Sequence, residues 1–196
     1  MPERAAIALL TELIAQYRNI GVIYLLPLNL SALADAYGQM DRVKEGLATI
    51  AEEVHITETR ATAYWAAEVY RLKGELLLQS RVQSHGPRVK IGSKSKVQGA
   101  KAKVPMPQSA VRLPPPSEGN PQSVEAEACF QQAITIAQQQ EAKSLELRAT
   151  MSLARLWQQQ GKGAEGHKLL SKIYGWFSEG FGTKDLREAK VLLDEL

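Results

Sequence analysis

The sequence predicts an all-α fold of about eight helices, arranged as antiparallel pairs and interrupted by a long, basic, disordered insert. Outside residues 80–122, apolar residues recur at three- and four-residue spacing, which is typical of helices with one buried face. Ala, Leu, Gln and Glu are abundant, and they favour helix over strand. Landmark residues also recur at intervals of about 40 residues, which is typical of stacked helix pairs.

Four helices are predicted in residues 1–79. Apolar residues from Ala5 to Tyr17 mark the first, and Gly21 helps to end it. The second covers about 27–37 and the third about 42–54. Thr57 or Thr59 is expected to cap a fourth helix over about 61–79.

Four more helices are predicted in residues 123–196, and these are expected to pack with residues 1–79 as one repeat domain. Ser123 is the expected N-cap of a helix that ends near residue 140. The next helix starts at Ser144 and ends near Gly161. A helix over about 164–177 follows, and Thr183 or Asp185 opens the last one.

Residues 80–122 differ in kind from the rest of the chain. They contain seven of the nine prolines, eight basic residues, one acidic residue (Glu118) and no aromatic residue. Such a segment buries too little apolar surface to offset its chain entropy, so we expect it to be disordered. Its net charge of +7 leaves −4 for the remainder, because the whole chain carries +3.

Cysteine usage and the N-terminus both indicate a cytoplasmic protein. The single Cys129 excludes an internal disulfide and is expected to be a buried structural thiol. The first residues lack the layout of an export signal. The most apolar stretch, 20–34, is short and contains Pro27, so no membrane association is expected.

A repeat of small and aromatic residues runs through the helical parts. Its landmarks are Leu33, Ala34, Tyr37, Gly46 and Ile50; then Tyr70, Gly74, Leu77, Ala126, Phe130 and Ala133; then Leu153, Ala154, Trp157, Gly166 and Leu170. Tyr37 and Leu77 are 40 residues apart. With the insert set aside, Leu77 and Trp157 are about 38 apart. Small residues let paired helices approach, and aromatic residues fill the space between neighbouring pairs.

This pattern resembles the tetratricopeptide repeat, an α-α superhelix of helix pairs. A closer resemblance is to the C-terminal repeat region of large bacterial signalling proteins, the predicted ATPases and adenylate cyclases. It rests on the strings LADAYGQ (33–39), EGLATIAEE (45–53), YRLKGELLL (70–78), EAEACFQQAITIA (125–137), KSLELRATMSLARLWQQQGK (143–162) and YGWFSEGFGTKDLREAKVLLDEL (174–196).

The resemblance implies a regulatory or sensory module that binds a protein or peptide in a concave groove, and upstream ATPase or cyclase modules as further partners. Neither of those modules is present in this sequence, so no activity carries over. The repeat register places nine residues in the groove: Ser31, Asp35, Gln39, Arg71, Glu75, Arg148, Met151, Arg155 and Gln159. Arg71, Arg148 and Arg155 could hold an acidic peptide by bidentate hydrogen bonds, or could be ordinary surface charges paired with Glu68 or Glu75.

No catalytic, cofactor or metal site is expected, so the sequence does not indicate an enzyme. The stretch 86–95 lacks the glycine spacing of a phosphate loop. The histidines, at 55, 85 and 167, have no second ligand at metal spacing. The carboxylate pairs Glu52–Glu53 and Glu125–Glu127 are interpreted as solvated helix faces.

Two alternatives concern the surface. The basic insert 80–122 could bind nucleic acid or an anionic surface, although it has no aromatic residue for base stacking. The first helix is apolar on most sides, so Ile7, Leu10 and Ile14 are expected to include partly exposed residues that favour self-association.

Overall fold

The computed structural model describes residues 2–22, 24–59, 63–83 and 120–196. Within these ranges it contains α1 Pro2–Ile20, α2 Leu26–Gln39, α3 Val43–Thr59, α4 Ala66–Gln83, α5 Pro121–Gln139, α6 Lys143–Gln159, α7 Gly163–Tyr174 and α8 Lys184–Glu195. A short 3-10 turn, Ala63–Trp65, precedes α4. The described residues include no strand. The prediction of an all-α chain with about eight helices is confirmed.

Two helix starts differ from the prediction. Helix α3 continues through Thr59, so neither Thr57 nor Thr59 caps the next helix. Asn120, not Ser123, caps α5: its Oδ1 accepts a hydrogen bond of 3.1 Å from the Gln122 N–H. Pro121 then takes the first helical position, where its missing N–H is not needed.

The boundaries of the predicted insert also change. Helix α4 extends to Gln83 and α5 begins at Pro121, so both ends of the 80–122 segment are helical. Residues 84–119, which make up most of the insert, lie outside the described residues.

Three connections between helices share one backbone turn. Each has three residues: 40–42, 140–142 and 160–162. The middle residue has positive φ each time, with Asp41 at 59°, Glu141 at 54° and Gly161 at 76°. The N–H of the third residue donates to the carbonyl five residues earlier, on Tyr37, Ala137 and Trp157, at 2.8–2.9 Å. This Schellman arrangement ends each helix and reverses the chain, so consecutive helices fold back on one another.

The helices pack in two sets. Helices α2, α4, α6 and α8 form a row in which each contacts the next. Helices α3, α5 and α7 each lie against the two even-numbered helices that flank them in sequence, and α1 packs on α2. The even-numbered helices therefore share one face along the molecule, which we call the even-helix face.

Helices α4 and α5 approach each other closely at Gly74 in α4. A Cβ atom at this position would lie 2.5 Å from Cε1 of Phe130 in α5, so only glycine allows the ring to sit there. Phe130 is fully buried, and Trp157 of α6 joins the same apolar cluster with 2% of its surface exposed. The Trp157 indole N–H also donates to the buried Glu127 carboxylate at 2.9 Å. These aromatic residues join α4, α5 and α6.

The apolar side chains of the N-terminal helix α1 are partly buried and partly exposed to solvent. Ile7 and Ile14 are buried against α2, and Leu10 is half-buried. The expectation that these three residues include a partly exposed one is met by Leu10. Among the described side chains of α1, the large apolar ones that are exposed are Leu9 and Ile20, with 68% and 69% of their surfaces exposed. A helix packed on one neighbour buries one stripe, and the apolar residues beyond that stripe stay in solvent.

We expect Phe130→Ala and Trp157→Ala each to lower the free energy of unfolding by roughly 3–5 kcal/mol, because each removes a buried aromatic side chain. Urea denaturation followed by circular dichroism measures this. The matched controls are Phe181→Ala and Trp176→Ala, since these residues are 46% and 61% exposed. Equal losses in a buried variant and its control would contradict the packing around α5.

We expect Ile14→Lys to destabilise the chain by at least about 2 kcal/mol, because it places an amine in the apolar contact between α1 and α2. Leu9→Lys should change stability by less than about 0.5 kcal/mol, since Leu9 faces solvent. Thermal unfolding compares the two variants.

Light scattering of the wild type and Leu9→Lys over a concentration series tests the predicted self-association, which Leu9→Lys should weaken.

Candidate binding face

The even-helix face brings together only part of the predicted groove set. Ser31, Asp35, Arg71 and Arg148 line one cleft between α2, α4 and α6. Arg155 lines a second cleft, between α6 and α8. Gln39 and Gln159 are exposed and line neither of these clefts. The prediction for Met151 is wrong: it is 3% exposed and packs in the core between α6, α7 and α8.

A buried ion cluster forms the floor of the first cleft. The Glu68 carboxylate accepts two hydrogen bonds from Arg71, 2.9 Å from Nε and 2.7 Å from Nη2. Arg148 of α6 approaches the same carboxylate at 2.9 Å. Arg71 also pairs with Glu75, whose Oε1 accepts a hydrogen bond of 2.8 Å from Ser152 of α6. The cluster therefore ties α4 to α6 by charged groups.

These contacts change what the arginines can do. Arg71 is 8% exposed, and both sides of its guanidinium group are taken by glutamates of its own helix. It cannot hold a partner carboxylate without giving up a buried ion pair, which is costly. Arg71 pairs with Glu68 and Glu75, as the alternative interpretation expected, but it is buried and is therefore not an ordinary surface charge.

The protonation of the cluster follows from its geometry. Burial acts to raise the pKa of Glu68, but the hydrogen bond from Arg71 and the charges of Arg71 and Arg148 outweigh it and lower that pKa. For Arg71, burial acts to lower the pKa, yet the contacts with Glu68 and Glu75 raise it. The buried pair is therefore held in its charged form.

Glu53 of α3 lies beside this cluster and behaves differently. It is fully buried, and its Oε1 accepts a hydrogen bond of 2.8 Å from Ser31. Burial, opposed by the Ser31 hydrogen bond and assisted by the negative charge of Glu68, raises the pKa of Glu53 to about 8. Glu53 is thus protonated at neutral pH in the folded chain. Ser31 contributes to this buried contact as well as to the lining of the cleft.

The first cleft has a volume of about 220 Å³ and combines apolar and charged walls. Its lining comprises Leu28, Ser31, Ala32, Asp35, Trp65, Glu68, Arg71, Leu72, Leu145 and Arg148. Leu28 is 43% exposed, and Trp65 and Leu145 are half-buried. An apolar side chain of a ligand could therefore displace water here, beside polar groups that would fix its orientation.

The second cleft has a volume of about 380 Å³ and a different charge. Its lining comprises Arg155, Lys184, Arg187, Glu188, Val191, Leu192 and Glu195. Arg155 pairs with Glu188 at 3.5 Å, with both side chains more than two-fifths exposed. Three basic and two acidic side chains line this cleft, so its charge favours an anionic group.

The sequence-based interpretation missed several residues of these clefts. Trp65, Leu28 and Leu145 form the apolar walls of the first cleft, yet nothing in their spacing marks them as ligand-facing. Asp185 and Glu188 of α8 reach Arg148 and Arg155, at 4.0 Å and 3.5 Å. Pairs between separate helices carry no sequence signal. The Glu68–Arg71 pair does have one, because residues three apart are neighbours on a helix.

The cysteine and the histidines differ in their burial. Cys129 is buried as predicted, and burial raises its pKa to about 11, so the thiol stays protonated at neutral pH. His55 and His167 are exposed, and His85 lies outside the described residues.

The interpretation of the two carboxylate pairs as solvated faces is wrong for one member of each. Glu53 and Glu127 are fully buried, and they accept hydrogen bonds from Ser31 and Trp157 respectively. Glu52 pairs with Arg18, and Glu125 pairs with Lys73 at 3.2 Å. A helical pattern alone did not show which of two nearby glutamates faces the interior.

The residues that the structure describes contain no group of three or more His, Cys, Asp or Glu side chains that could hold a metal ion. None of their helices is long and apolar enough to cross a membrane.

Comparison with protein-family models, with curated proteins and with solved structures finds no match for this chain.

We expect the free energy of unfolding to fall as pH rises from about 4.5 to 8, because folded Glu53 keeps a proton that the unfolded chain releases in this window. Glu53→Gln keeps a neutral acceptor for Ser31 and removes this dependence. Relative to the wild type, the variant should gain roughly 1–4 kcal/mol between pH 5 and pH 8. Urea denaturation at several pH values measures it, with Glu52→Gln as control. A parallel pH dependence in wild type and Glu53→Gln would refute the assignment.

Proposed function

We propose that this chain is a non-catalytic, tetratricopeptide-like interaction module that binds a protein or peptide partner along the even-helix face. The observation that carries the proposal is the pair of clefts on that face, one between α2, α4 and α6 and one between α6 and α8. Each joins exposed apolar surface to charged side chains, a combination suited to an extended peptide.

The contacts that hold the helices of this face together support this proposal. The Glu68–Arg71–Arg148 cluster and the core around Phe130 fix α4 and α6 relative to each other. A preformed face loses little conformational freedom on binding, so more of the contact energy appears as affinity.

We further propose that the module is the regulatory or sensory part of a bacterial signalling ATPase or adenylate cyclase. This proposal rests on the resemblance of the six strings, in which the run 143–196 is quite specific. An ATPase or cyclase coding region in frame upstream of this sequence would support it. A flanking sequence without such a region would count against it.

Selection of phage-displayed peptides on the immobilised chain tests partner binding. We expect the affinity of the selected peptides for the Arg155→Glu variant to be at least about tenfold lower. The variant loses one charged pair with the peptide, and a loss of about 1.4 kcal/mol in binding free energy is a tenfold loss of affinity. Lys168→Glu on α7 is the control, because Lys168 is exposed on a different set of helices. Peptides equally sensitive to both variants, or no selected peptide at all, would contradict the proposal.

The alternative, binding of nucleic acid or an anionic surface through the insert 80–122, is motivated by its net charge of +7. Electrophoretic mobility shifts with the full chain and with a variant lacking 85–118 separate the two. That deletion leaves α4 and the Asn120 cap of α5 in place. A salt-sensitive shift that disappears with the deletion would favour the alternative.

A further inference from the structure

The charge of the first cleft is opposite to the charge that the arginines in its lining suggest. Arg71 and Arg148 are the basic groups of this cleft. The carboxylates lining it or in direct contact with these arginines are Asp35, Glu68, Glu75 and Asp185. The lining alone has two carboxylates and two guanidinium groups. With Glu75 and Asp185, which contact the arginines from outside the lining, the charged groups at the cleft have an excess of negative charge.

Of these four carboxylates, Asp35 is the one that a ligand can reach. Glu68 and Glu75 receive hydrogen bonds from Arg71, and Asp185 approaches Arg148 at 4.0 Å. Asp35 is exposed on α2, and among the described residues it forms no ion pair. Its one hydrogen bond is with the exposed Gln39, one helical turn away, at 2.8 Å. An external cation can therefore reach Asp35 without displacing a buried partner.

Apolar and aromatic groups complete the cleft beside Asp35. Leu28 lies on the same helix, Leu145 lines the opposite side on α6, and Trp65 lies just before α4. Tyr64, 65% exposed, packs edge-on against Trp65 with ring centroids 5.2 Å apart. A volume of about 220 Å³ holds one aliphatic side chain of the size of Leu or Met. Aromatic rings near a carboxylate also suit a guanidinium or ammonium group.

We propose that this cleft binds a partner segment in which an aliphatic side chain lies close to an Arg or Lys. The aliphatic group enters between Leu28, Trp65 and Leu145, and the cation pairs with Asp35. This inference rests on the proposed function. It replaces the acidic peptide expected from the sequence with a basic ligand at this cleft. The partner is basic and apolar here, and an acidic group of the same partner would find its place at the second cleft, beside Arg155.

An acidic ligand fits the first cleft poorly for a physical reason. To bind Arg71 it would have to displace Glu68, which is 9% exposed and would lose its two hydrogen bonds from Arg71. The other arginine, Arg148, is already shared by Glu68 and Asp185. An acidic ligand would also approach Asp35, and like charges repel. A basic ligand meets neither obstacle.

Nuclear magnetic resonance titration of the full chain with short peptides tests the inference. The probes are capped peptides in which Leu and Arg are separated by zero to three glycines, with matched sets that carry Gln or Glu in place of Arg. We expect amide shifts at Leu28, Asp35 and Leu145 with the Arg set, at an affinity about tenfold above the Glu set.

Variants identify the groups responsible. Asp35→Asn should reduce the affinity of the Arg set to that of the Gln set, and Leu28→Ser should weaken all three sets. The controls are Glu165→Gln on α7 and Leu9→Ser on α1, both exposed and away from this cleft. Both Asp35 and Leu28 have exposed side chains, so the variants should stay folded, which the amide spectrum itself verifies.

Three results would overturn the inference. Equal or tighter binding of the Glu set at the same amides would show an acidic ligand, and the proposed partner-binding function would remain. No shift at the cleft with any set would remove the cleft as a site, while the phage selection would still decide the function. Tighter binding of the Arg set to a variant lacking 85–118 would assign the cleft to the chain's own insert instead of a separate partner.

Discussion

The contact between Gly74 and Phe130 is the constraint on which the rest of the architecture depends. It joins α4 to α5, two helices separated in sequence by the insert, and α4 also contacts α2, α3 and α6. Any side chain at position 74 would occupy the volume of the Phe130 ring, so the helices can meet closely only with glycine here. Once α4 and α5 are fixed, Trp157 brings α6 into the same core. The positions of α4 and α6 on the even-helix face therefore depend on the contact between Gly74 and Phe130.

A second layer of constraint is electrostatic. Burying Glu68 and Arg71 removes both from water, which is unfavourable unless they pair with good geometry. The two hydrogen bonds between them, and the approach of Arg148 from α6, meet that requirement. Because Arg71 is occupied by this pairing, Asp35 is the charge of the first cleft that remains available to a partner. Arg71 and Arg148 therefore contribute both to the stability of the fold and to the charge that the first cleft presents to a ligand.

The sequence predicted the fold class well and the site only in outline. Helical periodicity gave the number of helices, and the small and aromatic landmarks marked Gly74, Phe130 and Trp157, all of which lie at helix contacts. Of the nine groove residues, Ser31, Asp35, Arg71, Arg148 and Arg155 line clefts. Met151 instead packs in the core, since a register assigned from repeats cannot resolve a rotation of one side chain on a helix.

By itself, the sequence determined where helices form and which faces are apolar, because these depend on residues three and four positions apart. It also determined the positive charge of the insert, which is a matter of composition. Only the tertiary structure decided the chemistry of the face. Whether Arg71 is buried, whether Glu53 is protonated, and whether Leu28 and Leu145 share a cleft all depend on helices that meet across the fold. Burial and the ion pairs between separate helices arise only when the helices meet, and no local pattern records them.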